Sequence, residues 1–409
     1  MNETIKYLIS FLLYGNEEAV SLVGYTTDEE EAKRYKINIR PSENSPLAHP
    51  EKSWEAFYPE VKQVLHQRVI TPETDIISVA CFLLSRAEEI VVQDRDEHDR
   101  FLARHSLLSE GNLLSIPTID EYSRWLLKRL ELPLPEKKLA AVNLTHDVDT
   151  IANYRHPRGF LGGMMRGHLS QALWAAKDIE EDPAFTFPWL CTIDTELRDS
   201  LSETNILYFL KASSGKGLDY PQYPLSGKDF KRLLYYIEKS GAKIGLHISY
   251  AAGADGNLIE KEKDILGKAL KAVRSELSPI SRYHWLRATT IDNMQQLVAA
   301  GITDDYSIGF ADHAGFRLCT SRPVRWINPK TLKLTSLTLH PLTIMDCTLS
   351  NQNYMNLNEE EAFYYCQQLI DKTAQNNGEL TLLWHNSNLG EDTYHRSLYQ
   401  QLIKYIAEL

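Results

Sequence analysis

Leu139-Ala140-Ala141-Val142-Asn143-Leu144-Thr145 runs directly into His146-Asp147-Val148-Asp149. A short apolar segment of this length reads as a buried strand. In an extended strand, residues 147 and 149 point to the same side. Two carboxylates side by side repel unless a cation or a proton lies between them. The competing reading is a turn or capping pair, because Asp is common where strands end.

Upstream of this strand lies Glu131-Leu132-Pro133-Leu134-Pro135-Glu136-Lys137-Lys138. Two prolines fix φ and stop any helix, which marks a domain boundary. A chain of 409 residues exceeds what one core usually spans. The expected division is a smaller mixed α/β domain over residues 1–130 and a second domain over 139–409. In the first, a helix is expected at 4–14 and a strand at Tyr35–Ile39, where apolar residues alternate. The apolar run Asp75–Leu84 suits a buried strand or a buried helix equally. Arg124–Leu127 is read as helical.

Downstream, candidate strands at 139–145, 204–210, 242–247, 281–286, 302–307, 334–340 and 379–384 alternate with helical stretches such as 228–240, 257–276, 291–300 and 358–376. Such alternation means βα units and a parallel sheet. About seven strands point to a distorted (β/α) barrel, whose chemistry would gather at the C-terminal strand ends. Polar residues do collect there. Ala242–Leu246 ends in His247, and Glu379–Trp384 ends in His385. Between these come Arg282-Tyr283-His284-Trp285-Leu286-Arg287 and Asp304-Asp305-Tyr306, in two further candidate strands. Each alone is weak, since a His at a strand end is commonly structural. Five strand ends carrying His, Asp or Arg together describe a concave site with metal ligands and acid/base groups.

The bulk composition excludes other classes. The formal net charge of −11 argues against a nucleic-acid partner, and Lys and Arg are interspersed with Asp and Glu. The five cysteines, an odd number without metal-ligand spacing, read as reduced thiols. The apolar run Tyr7–Tyr14 lacks a basic leader and is too short to span a bilayer. A soluble, cytoplasmic protein without membrane insertion is the expectation.

Residues 139–409 resemble the polysaccharide deacetylase (NodB-homology) family. The match is to a divergent bacterial branch with an N-terminal accessory domain. Its blocks here are Leu144–Asp149 (LTHDVD), Gly245–Tyr250 (GLHISY), Arg282–Arg287 (RYHWLR), Asp305–Phe310 with Gly315-Phe316-Arg317, and Leu382–Ser387 (LLWHNS). The resemblance implies a deacetylase-type barrel and a residue-by-residue set of roles. Asp147 matches the catalytic base, Arg282 the arginine that orients it, and His385 the general acid. Asp305 matches the acidic residue that tunes that histidine. Asp149 and His247 match metal ligands. The family's second metal histidine falls on Ala251 here, so either His284, the favoured residue, or His146 supplies the missing ligand, or the metal is held loosely with extra water, or metal binding is lost. A zinc site needs three protein ligands and one open position. The implied cofactor is a divalent ion, with zinc expected.

The implied reaction is hydrolysis of an acylated amine, an N-acetyl group on a carbohydrate or other small molecule. Trp285, Tyr306, Trp384 and Arg287 are the candidate substrate contacts, although aromatic residues there also suit core packing. The rival readings are a non-catalytic glycan-binding protein on the same scaffold and an amidohydrolase of a small non-sugar amide. Gly159–Gly167 lacks a phosphate-loop ending and is read as a loop over the barrel mouth.

Overall fold

The computed structural model describes residues 2–71, 73–212, 217–220, 223–288, 290–390 and 393–409. The protein is mixed α/β. A small parallel pair, β1 (Val23–Tyr25) and β2 (Ile37–Ile39), lies in the N-terminal segment. Among the described residues the main sheet holds nine strands. These are β3 (Ala141–Val148), β4 (Thr204–Lys211), β5 (Lys243–Ile248), β6 (Ile280–Tyr283), β7 (Asp304–Asp305), β8 (Val324–Asn328), β9 (Lys333–Leu339), β10 (Ile344–Met345) and β11 (Glu379–Leu383).

Their order is β10-β11-β3-β4-β5-β6-β7-β9-β8, parallel throughout except for the β8–β9 hairpin. Helices including Phe187–Ser200, Gly227–Lys239, Asn257–Lys271, Ile291–Ala299 and Glu359–Gln375 connect the strands. Central strands are consequently buried on both faces, as their apolar composition requires.

The expectation of about seven strands is corrected to nine, in a sheet curled into a half-barrel. Pro341 is one reason. It lacks an N–H, so it interrupts the extended stretch from Lys333 to Met345 and divides it into β9 and β10. On one side of it, His340 N–H donates to the Asp305 carbonyl (2.9 Å). On the other, Leu342 N–H donates to Ile308 (2.9 Å) and Thr343 N–H to Thr381 (3.2 Å). One run of chain therefore touches both β7 and β11, and the sheet must curl.

Two further expectations change. Asp75–Leu84 resolves as a helix, Ile76–Leu84, capped by the Asp75 carboxylate accepting from Ser78 N–H at 2.9 Å. Gly159–Gly167 is not a loop, because a helix runs from Pro157 to Met165 with proline at its start, where no N–H is needed.

The N-terminal segment is not a satellite. Leu8, Phe57, Phe82 and Leu126 belong to the same hydrophobic cluster as Leu210, Leu246, Trp326 and Leu339 of the sheet. Buried arginines reinforce the contact. Arg322 donates to Asp120 (2.9 Å), to the Phe11 carbonyl (2.6 Å) and to Ser123 (2.8 Å).

Candidate metal centre and its surroundings

Parallel strands deliver Asp149, His247 and His284 to one place. Asp149 directly follows β3, His247 is the fifth residue of β5, and His284 follows β6. Asp149 Oδ1 lies 3.4 Å from His247 Nε2 and 3.2 Å from His284 Nε2. The remaining ring nitrogens are committed elsewhere. His247 Nδ1 sits 3.1 Å from the Arg282 carbonyl, which can only accept, so Nδ1 carries the proton. His284 Nδ1 sits 3.1 Å from Asp219 Oδ1. This pattern of a far-side acceptor on each histidine orients Nε2 lone pairs inward, as at metal centres.

Asp149 Oδ1 and His247 Nε2 are buried without a hydrogen-bond partner. Buried polar atoms are normally satisfied, so these two acceptors, with the Lys211 ammonium no closer than 3.7 Å to Asp149 Oδ1, suit a further cation. The ligand atoms of Asp149, His247 and His284 all lie within 4.8 Å of one another, and the set fits a divalent ion. Burial disfavours ionisation of Asp149, but when His247 and His284 carry protons at the nitrogens facing it, the state a bound cation would displace, its carboxyl is held well below the ordinary range. Burial also lowers the His284 pKa, yet Asp149 and Asp219 raise it on balance, so a proton competes with a cation there.

His146 is excluded as a ligand. It is fully buried, with Nδ1 at 2.9 Å from the Trp384 carbonyl and Nε2 at 2.9 Å from Asp194. Ala251 offers only its N–H, which donates to Asp219 at 3.3 Å.

Beside this triad stands Asp147. Its Oδ1 accepts from Arg282 Nη1 (3.0 Å), while Oδ2 lies 3.6 Å from His247 Nε2. Arg282 is fully buried. It also donates to Thr145 Oγ1 (2.8 Å) and to the Tyr306 carbonyl (3.0 Å), so its fork has little freedom.

His385, just beyond β11, completes the ring, with Nε2 3.9 Å from Asp149 Oδ2. Its Nδ1 donates to Asp346 Oδ1 at 2.7 Å, and its backbone N–H donates to Asp346 Oδ2 at 2.8 Å. Burial works against the imidazolium, yet Asp346 raises the His385 pKa well above the ordinary value. Asp346 in turn is depressed to about 2, burial being outweighed by His385.

This pairing corrects the reading of Asp305. Its carboxylate accepts from Ser281 Oγ (2.8 Å), Ser307 N–H (3.0 Å) and Ser307 Oγ (2.9 Å), and the acid on His385 is Asp346. Three of the four substrate candidates are corrected as well. Trp384 is fully buried and donates to the His395 carbonyl at 3.2 Å. Tyr306 is buried and stacked on His340 with ring centroids 4.3 Å apart. Arg287 is buried and turned to the N-terminal segment, donating to Asp99 (2.5 Å), the His98 carbonyl (3.1 Å) and the Tyr250 carbonyl (2.8 Å). Trp285 alone of these is exposed, at 38%.

The strap carrying His284 and Trp285 is strained. Trp285 (φ 62°) and Leu286 (φ 52°) are both left-handed, which costs roughly 1–3 kcal/mol per residue for side chains of this size. The N-terminal segment holds the strap there. Arg100 donates to the Trp285 carbonyl (3.2 Å) and Arg86 to the Ala288 carbonyl (2.8 Å).

Asp346, Asp219 and Lys211 are absent from the sequence reading. Lys211 Nζ lies 3.7 Å from Asp149 Oδ1 and 3.3 Å from the Asp219 carbonyl. The strand-end criterion, applied to Thr204–Lys211 and to Leu342–Asp346, points at Lys211 and Asp346. Asp219 ends the short 3-10 helix Gly217–Asp219, away from any strand end, and leaves no such signal.

Residues 13–135 match the model of a family of unknown function, DUF7033. No curated protein matches the chain. Among solved structures, the chain is similar to a Mycobacterium smegmatis protein described as a "putative polysaccharide deacetylase", at 16% identity and a TM-score of 0.45, covering 68% of this chain and 87% of that one.

Proposed function

We propose that the protein is a metal-dependent hydrolase of non-peptide carbon–nitrogen bonds that removes an acetyl group from an N-acetylated sugar. One observation carries this reading: buried atoms of Asp149 and His247 that lack a hydrogen-bond partner sit between a clamped carboxylate, Asp147, and the imidazole of His385, which Asp346 holds in its protonated form. Asp149, His247 and His284 would hold the cation, with zinc the expected ion for one carboxylate and two imidazoles. When bound, such an ion polarises an acyl oxygen and acidifies water.

The chain's own groups divide the proton transfers. Asp147 uses Oδ2 to take a proton from the attacking water, since Oδ1 is occupied by Arg282. His385 Nε2–H gives a proton to the departing amine, without which an amine leaves poorly. Asp346 keeps that proton available by stabilising the imidazolium. Trp285 offers an exposed ring for a sugar face.

The test is metal analysis of the full chain together with acetate release from a panel of N-acetylated sugars, wild type beside Asp147→Asn. Bound metal with release lost in the variant supports the proposal. A chain with neither metal nor release refutes it and leaves the glycan-binding reading.

A further inference from the structure

The segment after Asp149 is unlike the rest of the chain. From Thr150 to Lys177 it holds no Asp or Glu, in a protein whose 55 acidic residues outnumber 44 basic ones. It folds as two helices, Pro157–Met165 and Leu169–Lys177, joined through Gly167. Ala172 and Ala175 are buried against Tyr154, with Phe160 beside them. The opposite edges are apolar and face solvent. Leu161, Met164 and Met165 stand at helical spacings on the first helix. Leu169, Leu173 and Trp174 stand on the second, and Met165 is 89% exposed. Single exposed apolar residues are ordinary, whereas a group of six is not. Arg158, Arg166 and Lys177 are exposed on the same hairpin, Lys177 lying over the Trp174 ring at 4.9 Å.

We propose that this hairpin seats the protein on an anionic lipid surface. An apolar edge flanked by Arg and Lys is the composition of an interfacial helix, whose apolar side chains enter the headgroup boundary while its cations meet lipid phosphates. No described helix is long and apolar enough to cross a membrane, so the contact is interfacial. Charge argues for lipid over a second copy. A two-fold contact would bring the same basic face against itself, whereas an anionic bilayer supplies both an apolar interior and the opposite charge.

The chain as a whole is acidic, and against that background Arg158, Arg166 and Lys177 suit the hairpin to such a surface. The hairpin leaves β3 immediately after Asp149, and Asn386 Nδ2 donates to the Thr150 carbonyl at 2.8 Å, fixing its root beside His385. Resting on the hydrolase reading above, the substrate class is then an N-acetylated sugar presented at a lipid surface.

The test is co-sedimentation of the full chain with phosphatidylcholine vesicles, with and without phosphatidylglycerol. Wild type is expected to sediment with the anionic vesicles and to be released by salt. A Met165→Glu, Trp174→Glu variant is expected to bind about tenfold or more weakly, with an unchanged melting temperature. Both are expected to release acetate equally from a soluble N-acetylated sugar. The proposal is overturned if wild type ignores the anionic vesicles, if the variant binds equally, or if light scattering shows a wild-type dimer that the variant dissolves. Vesicle binding without acetate release from any substrate would defeat the hydrolase reading and leave the docking intact.

Discussion

Two carboxylate–histidine clusters face each other across Asp149, and they are wired in opposite ways. In one, Asp149, His247 and His284 turn acceptor atoms inward, two of them buried without any donor. In the other, Asp346 is saturated: Oδ1 accepts from His385 Nδ1, and Oδ2 from His385 N–H (2.8 Å) and Asn388 Nδ2 (2.9 Å). Both clusters have the residue types of a metal site, and under the proposed function the first would hold a cation and the second a proton. What distinguishes them is how many donors the surrounding backbone supplies. Cys347 Sγ, 3.7 Å from His385 Nδ1, adds a third polar atom to the second cluster but no inward lone pair on its imidazole.

The comparison breaks most sharply at the two proton-transfer groups. Asp147→Asn and His385→Gln are each expected to lower kcat by about 10²–10⁴-fold while leaving bound metal unchanged. Asp149→Asn is expected to lose both activity and metal. Metal loss in His385→Gln, measured by elemental analysis, would merge the two clusters into one.

A smaller effect separates the supporting carboxylates. Asp219→Asn removes the acceptor on His284 and is expected to weaken metal binding by roughly 10–100-fold, a usual loss for such partners. Asp346→Asn is expected to leave metal affinity alone and lower kcat. Competition with a chromogenic chelator reads the first difference, and equal affinities in both variants would contradict the assignment.

The smallest effect is on stability. Asp346 titrates at about 2 in the folded chain against an ordinary value of 3.8. The stabilisation, on the order of 2 kcal/mol, is therefore present above about pH 4 and lost as the pH falls through about 2. Urea midpoints of wild type and Asp346→Asn should converge over that window. A constant gap down to pH 2 would mean that packing, not charge, sets the difference.

Much of the sheet is legible from the sequence because β3, β4, β5 and β11 are short, largely apolar runs between helices. The helix Ile76–Leu84 was ambiguous because a fully buried element shows no periodicity, whatever its backbone. The division of 333–345 into two strands depends on pairings with Asp305, Ile308 and Thr381, none of them local. The aromatic residues illustrate the same limit. Trp285 and Trp384 follow comparable strands, yet one is exposed and the other wholly buried.

Sequence by itself determined which residues stand at the ends of the strands, because a strand's end is marked locally by the change from apolar to polar side chains. Their partners are set by how the sheet packs in space. Whether His385 answers to Asp346 or Asp305, and whether His284 or His146 turns towards Asp149, depends on the curl of the sheet and on hydrogen bonds between residues distant in the chain. Such contacts are fixed by distance in space, which local pattern does not encode.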